Sequence, residues 1–299
     1  MLITFMPAVG AFLLLPAVYT NEHLLFNFIV FLTLAQGVNV IYGFTGYLPF
    51  GYVGFFGAGA YGFSLPVMHF QMTALPALGI AAGAALLLAL LLTPLLRLSG
   101  AYFAIANLAA SMAAFQIVSN PNLTEITRGP YEVSLTGVFA PGFAYHTALG
   151  VLALTLALVI YLRNSRFGLA LQAIREDPVT AGMAGINVVR MRTLAWLLSA
   201  LIAGLSGGVY AWHESVFYSE TVFSASFSIF AIVFALFGGA ATVTGPILGV
   251  IILYGIYNAI GITAPQYFQL IYGLLIMALV LFLPDGLVSL LKRRGIYVP

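Results

Sequence analysis

Residues 74–95 read ALPALGIAAGAALLLALLLTPL, a run without a single charged side chain. An α-helix crosses the hydrocarbon of a bilayer with about 20 predominantly apolar residues, so this stretch is read as a membrane span. Its hydrophobicity is continuous rather than alternating, which argues against the strands of an outer-membrane barrel. Outward from it, comparable runs occupy 2–19, 24–44, 51–68, 100–119, 146–162, 193–212, 227–243, 246–262 and 268–284. The expected fold class is an all-α polytopic membrane protein of about ten transmembrane helices, with residues 1–299 forming one transmembrane domain. Composition agrees. Of the 299 residues, 62% are hydrophobic and 6% charged, against about 45–50% and 25% in soluble domains. Eighteen charges cannot clothe a soluble globule of this size, so soluble enzymes, nucleic-acid binders and disordered chains are excluded. There is no cysteine, so disulfides and thiolate metal sites are excluded as well. The four histidines, His23, His69, His146 and His213, stand far apart in sequence and no metal is expected. The apolar N-terminal run lacks a basic flank and is read as a retained helix.

Basic residues set the expected orientation. With the Arg163–Arg192 connection in the cytoplasm, nine of the ten bases fall inside: Arg97, Arg163, Arg166, Arg175, Arg190, Arg192, Lys292, Arg293 and Arg294. Arg128 alone falls outside. Both termini are then cytoplasmic, and the long connections 120–145 and 213–226 are external. Splitting ten spans five and five gives halves of opposite orientation, the parity of an inverted repeat, although any odd-numbered half would do the same.

No charged side chain sits midway through a span, which disfavours a proton-coupled carrier. The one lysine, Lys292, lies in the tail, so a G-x-x-x-x-G-K-[ST] phosphate loop is absent, and neither H-E-x-x-H nor G-x-S-x-G occurs. No catalytic centre, nucleotide site or bound cofactor is expected on this chain.

Glycine is concentrated at three places. GYLPFGYVGFFGAGAYG, from Gly46 to Gly62, contains a literal G-x-G-x-x-G at Gly57, Gly59 and Gly62. A dinucleotide loop also needs a preceding strand and a later acid, and both are missing. In a membrane helix, Gly51, Gly54 and Gly57 form a smooth stripe for close helix approach. With Pro49 they also fit a broken or re-entrant segment lining a pathway. Gly204, Gly207 and Gly208 form a second small-residue cluster, and FGGAATVTGPILG, from Phe237 to Gly249, marks a turn in which Gly245 precedes a helix-starting Pro246. Gln36, Asn39, Asn107, Ser111, Gln116, Ser199, Ser206 and Asn258 are read either as interhelical hydrogen-bonding groups or as pathway lining.

The connection SRFGLALQAIREDPVTAGMAGIN, from Ser165 to Asn187, is longer than a turn requires. Asp177-Pro178 starts a short helix, with a capping carboxylate and proline at the first helical position, and Gly185 stops it. A capped helix standing clear of the membrane suits a docking element better than a plain connector.

This stretch, the glycine-rich segments and the closing LFLPDGLVSLLKRR from Leu281 resemble the permease subunit of branched-chain amino acid ABC importers, more the M-type than the H-type. The resemblance covers roughly Gly37 to Arg294. It implies a second homologous permease, two cytoplasmic ATPase subunits that bind ATP-Mg, an extracytoplasmic solute-binding protein and the bacterial inner membrane. It also implies an ATPase-coupling helix, whose role falls on Glu176, Asp177, Ala181 and Gly185, with Pro178 and Gly182 inside the same helix. Two departures concern ATPase docking: Leu169 stands where a base often follows Phe-Gly, and Gly239-Ala240-Ala241-Thr242 replaces Gly-x-Gly-Ser. Glu22, Glu125, Glu132, Glu214 and Glu220 face outside as solvated loop charges or, for Glu214 and Glu220, as contacts for the binding protein. A largely apolar path without fixed charge suits a hydrophobic or net-neutral solute, a branched-chain amino acid first. Urea or short amides within the same family, and a self-contained channel or secondary carrier, are the alternatives.

Overall fold

The computed structural model describes Gly10, residues 21–263, 265–267, 270, 273, 274, 277 and 286–288. Helix α1 spans Glu22–Val38 and runs on through a π-helical turn, Asn39–Gly43. It is followed by α2 (Val53–Phe70), α3 (Ala74–Leu91), α4 (Gly100–Val118) and α5 (Pro141–Asn164). Two short helices, α6 (Arg166–Glu176) and α7 (Pro178–Met183), lead to the long α8 (Val188–Glu214), and then to α9 (Ala225–Gly238) and α10 (Thr244–Thr263). Among the described residues, seven helices are long and apolar enough to cross a membrane: α1, α3, α4, α5, α8, α9 with the turn preceding it, and α10. Helix α2 has the length, 18 residues, but glycines, Pro66 and His69 dilute its apolarity. The protein is an all-α polytopic membrane protein. The expected spans 2–19 and 268–284 lie outside the described residues, apart from isolated positions in each, and so do both chain ends.

Several boundaries differ from the sequence reading for local reasons. The span expected at 146–162 starts at Pro141, the proline occupying the first helical turn. The 163–192 connection holds two helices rather than one. The Ser165 hydroxyl accepts from the Gly168 N–H (3.1 Å) and starts α6, which buries Leu171 and Ile174. Strands are not wholly absent either: the two long connections beyond α4 and α8 pair as a short antiparallel ladder, Val133 opposite Phe217 and Ser134 opposite Val216.

The helices divide into an inner and an outer set. The apolar window of α1 is 83% buried and that of α8 is 72% buried, whereas those of α3 and α4 are each 22% buried. Leu87, Leu91, Tyr102, Ile105 and Ile117 on α3 and α4 point outward, where lipid is their natural solvent. Helix α8 packs most extensively on α2 and α3, while α1 touches α5, α8, α9 and α10. Lipid tails are as apolar as leucine, so helices in a membrane are held by close packing rather than by hydrophobic exclusion. Small residues supply that packing here. A Cβ on Gly59 would lie 2.0 Å from the Gly204 carbonyl oxygen, and one on Gly207 would lie 1.9 Å from that of Phe56, so α2 and α8 meet backbone to backbone. On α3, Ala77, Ala81, Ala85 and Ala89 are fully buried at four-residue spacing, and Gly204 and Gly208 sit against Ala85 and Ala81.

Candidate functional site

Two helix junctions, α1 to α2 and α9 to α10, meet at one end of the molecule, beneath the 163–192 connection. The first follows α1. Its last turn widens to a π-helix at Asn39–Gly43, helix ends at Thr45, Gly46 takes φ +79°, and the next long helix starts at Val53. A helix end leaves orphan N–H and C=O groups, and inside a membrane each must find a partner. The Gly51 N–H donates to Asn107 Oδ1 (2.7 Å) and the Val53 N–H to Ser228 Oγ (2.8 Å). On the other side of the break, the Gly43 carbonyl accepts from Arg175 Nη1 (2.5 Å), a cation placed where a helix C-terminus favours one.

The second interruption joins α9 to α10 at residues 239–243. Asn39 holds it on both sides: its amide donates to the Thr242 carbonyl (2.8 Å) and its Oδ1 accepts from the Ala241 N–H (2.8 Å). Gln36 Nε2 donates to the Val243 carbonyl (2.7 Å), and Arg163 Nη1 reaches the Ala241 carbonyl (3.5 Å). The two breaks touch, since a Cβ on Gly43 would lie 2.7 Å from Ala241 N. Within the second, a Cβ on Gly245 would lie 2.2 Å from the Gly239 carbonyl oxygen, so the turn closes on glycine alone. Replacing Asn39 by leucine should strand the half-buried Ala241 N–H and the buried Thr242 carbonyl, at about 1–3 kcal/mol for a buried group. Thermal unfolding in detergent should shift clearly downward. Asn258→Leu, whose amide bonds the Tyr254 carbonyl of its own helix, should shift it far less; equal shifts would show that Asn39 does not hold the turn.

Above these breaks stands α7. The Asp177 carboxylate accepts from the Val179 N–H (2.8 Å) and from the Thr180 hydroxyl, and Pro178 occupies the first turn. The Thr180 hydroxyl first, and then the Val179 N–H, hold the Asp177 carboxyl below its ordinary range. The cap is therefore ionised near neutral pH, and its contribution is lost only as pH falls through that lowered value. Gly185 stops the helix at φ +85°, with the Ile186 N–H donating to the Ala181 carbonyl (3.1 Å). Ala181 is buried, while Glu176, Asp177, Pro178, Gly182 and Gly185 are exposed. The sequence reading missed two neighbours on this helix. Val179 and Met183, four positions apart, are 69% and 78% exposed, an apolar pair that no described residue covers.

The α2 glycines face a different feature. A Cβ on Gly51, just before α2, would strike the Asn107 carbonyl (2.0 Å), one on Gly54 would press on Ser111 and one on Gly57 on the Phe223 ring, so the start of α2 lies flush against α4 and the turn before α9. Where these elements part, a groove of about 280 Å³ is lined by Val53, Ser111, Phe115, Glu220 and Phe223. The polar side chains divide accordingly. Gln36, Asn39, Asn107 and Ser199 bond across helices, the last donating to the Gly37 carbonyl (2.8 Å). Ser206 Oγ and Asn107 Nδ2 are buried without a hydrogen bond among the described residues, and Gln116 faces outward. Glu220 is exposed on the groove, whereas Glu214 turns inward, with one oxygen 3.4 Å from His23 Nδ1 and 3.5 Å from His213 Nδ1. Distant in sequence, these two histidines are neighbours in the fold.

Comparison with known proteins gives a consistent picture. The family model described as "Branched-chain amino acid transport system / permease component" matches residues 21–280. The high-affinity branched-chain amino acid transport system permease protein LivM of Escherichia coli (strain K12) is 28% identical over 300 residues, covering 89% of this chain and 69% of the relative. The guanosine ABC transporter permease protein NupQ of Bacillus subtilis (strain 168) is 30% identical over 38% of this chain and 35% of its own length. The fructose import permease protein FrcC of Rhizobium meliloti is 34% identical over 42% of this chain and 37% of its own length. No solved structure matches.

Proposed function

The chain belongs to the branched-chain amino acid transport system permease family, and from that premise we propose that it forms half of the translocation pathway of an ATP-binding-cassette importer for branched-chain amino acids. A second homologous permease completes the pathway. Two ATPase subunits, which bind ATP-Mg, dock on the 163–192 side, and a solute-binding protein delivers its cargo at the opposite end. The protein lies in the bacterial inner membrane with both termini and the 163–192 connection in the cytoplasm. It does no chemistry of its own.

The observation that carries this reading is α7: a capped helix with exposed Val179 and Met183, standing over two helix breaks it does not need for its own fold. Contiguous exposed apolar side chains mark protein-protein contacts, and Val179 and Met183 stand one turn apart on α7. A channel or secondary carrier has no use for such a contact there. The α2–α4 groove, apolar but for Ser111 and Glu220, suits a zwitterion with an aliphatic side chain.

Reconstitution with candidate partner subunits tests the whole reading. ATP-dependent accumulation of labelled leucine is expected, outcompeted by valine and isoleucine and not by urea, guanosine or fructose. Uptake that proceeds without the ATPases would replace this reading with a channel or carrier. Glu220→Lys should lower leucine uptake several-fold at low salt, with the defect shrinking as salt screens the charge. Uptake unchanged at low salt would remove Glu220 from both the groove and the binding-protein contact.

A further inference from the structure

The loop that carries α7 is fastened to the first helix break at two points, one on each side of that helix. Before α7, Arg175 donates to the Gly43 carbonyl (2.5 Å), and its guanidinium carbon lies 6.0 Å from the centre of the Tyr42 ring. After α7, the Arg192 guanidinium carbon stands 4.7 Å from the centre of the Tyr47 ring. Arg192 Nε is buried and makes no hydrogen bond among the described residues, so the contact with the ring orients this group. Tyr47 is itself braced, its hydroxyl donating to the Leu96 carbonyl (3.4 Å) and its ring set edge-on to Phe103 at 4.8 Å.

Residues 42–47 are the part of the inner helices best suited to move. The π-helical turn is wider than a regular helix, Phe44 and Thr45 add only two further helical residues, and from Gly46, at φ +79°, to Pro49 the chain has no helical structure. A junction between two helices yields more easily than the helices it joins. The flanking loop is stiff by contrast. At the α5–α6 junction a Cβ on Gly168 would lie 1.6 Å from the Leu162 carbonyl oxygen, and Arg192 belongs to the continuous helix α8. A push on α7 therefore has short, rigid routes into both ends of the break.

We infer that Arg175 and Arg192 are positioning residues that carry displacement of α7 into the Tyr42–Tyr47 break, so that the state of the nucleotide sets the conformation of this pathway segment. The inference rests on the assignment of α7 to an ATPase contact. Arg175 acts as a hydrogen-bonded strut on the α1 terminus, and Arg192 acts as a cationic lid on the Tyr47 ring.

The chain has no cysteine, so Leu48→Cys, half-buried within the break, supplies a single thiol when the complex is assembled with cysteine-free partners. Its maleimide labelling rate should differ between the nucleotide-free and vanadate-trapped complexes by about fivefold or more, the low end of ordinary coupling. Adding Arg175→Gln and Arg192→Gln together should erase the difference and lower uptake, while the ATPases co-purify as before. Arg175→Lys, which keeps a cation for the Gly43 carbonyl, should retain more of the difference than Arg175→Gln. If the double variant fails to accumulate, the two single variants carry the comparison. Full nucleotide sensitivity without the arginines would overturn the inference, and so would an unresponsive thiol in a complex that has kept its ATPases. Failure of the Leu48→Cys chain, with both arginines intact, to retain any ATPase would instead overturn the functional reading beneath it.

Discussion

Gly207→Leu is expected to leave almost no correctly folded protein in the membrane. A Cβ at this position would stand 1.9 Å from the Phe56 carbonyl oxygen, 2.8 Å from its carbon and 3.1 Å from Ala60 N. All three atoms are backbone of α2, so no side chain can rotate away and the two helices would have to separate. The separation would break the Gly59–Gly204 contact one turn along, and with it the seating of α3 on Gly204 and Gly208. Overpacking an ordinary core costs about 1–3 kcal/mol; here the strain falls on the pair of helices that the others lean on, and the loss should exceed that range. The same substitution at Gly83, where an added Cβ meets nothing within 4 Å, should be harmless and can gain up to about 1 kcal/mol of helix propensity. Fluorescence-detected gel filtration and thermal unfolding in detergent would separate the two. A monodisperse Gly207→Leu protein of normal stability would mean that α2 and α8 do not cross as described.

How much of this was legible in the sequence follows from the range of the physics involved. The middle spans were legible because the bilayer sets both length and apolarity, as 74–95 illustrates. The ends of α7 were legible because capping is local: Asp177, Pro178 and Gly185 lie within nine positions of one another. The glycine stripes could be recognised as contact surfaces, yet the sequence could not say that Gly59 meets Gly204 or that Ala81 and Ala85 form the opposing face. Helix α6 escaped because it is only 11 residues long and its ends are charged, so no span-length pattern marks it. The site itself was the least legible part. Asn39 reaches Thr242 across 203 positions and Arg175 reaches Gly43 across 132, and both residues look like ordinary members of their segments. A basic residue in a connecting loop is expected from membrane orientation alone, which hides any second duty it has. The His23–His213 contact was hidden in the same way, by distance along the chain.

Gly185→Trp is expected to abolish ATP-driven uptake while leaving membrane insertion and folding intact. Two properties of Gly185 have to be separated for that result to be informative. Its φ of +85° is unfavourable for most side chains, at about 1–2 kcal/mol, so any substitution there strains the stop of α7. Around it, though, an added Cβ would meet nothing within 4 Å, so the fold itself has room for an indole. Asparagine tolerates the left-handed conformation better than other residues with a side chain. Gly185→Asn should therefore keep the turn, the ATPase contact and most of the uptake. Tryptophan adds bulk beside Val179 and Met183, on the face assigned to the partner, and should block docking outright. The measurements are labelled leucine uptake and co-purification of the ATPase subunits, with surface expression as the control. Loss in tryptophan with retention in asparagine would establish a contact surface. Equal loss in both would reduce Gly185 to a helix stop, and normal uptake by the tryptophan variant would remove α7 as the coupling element.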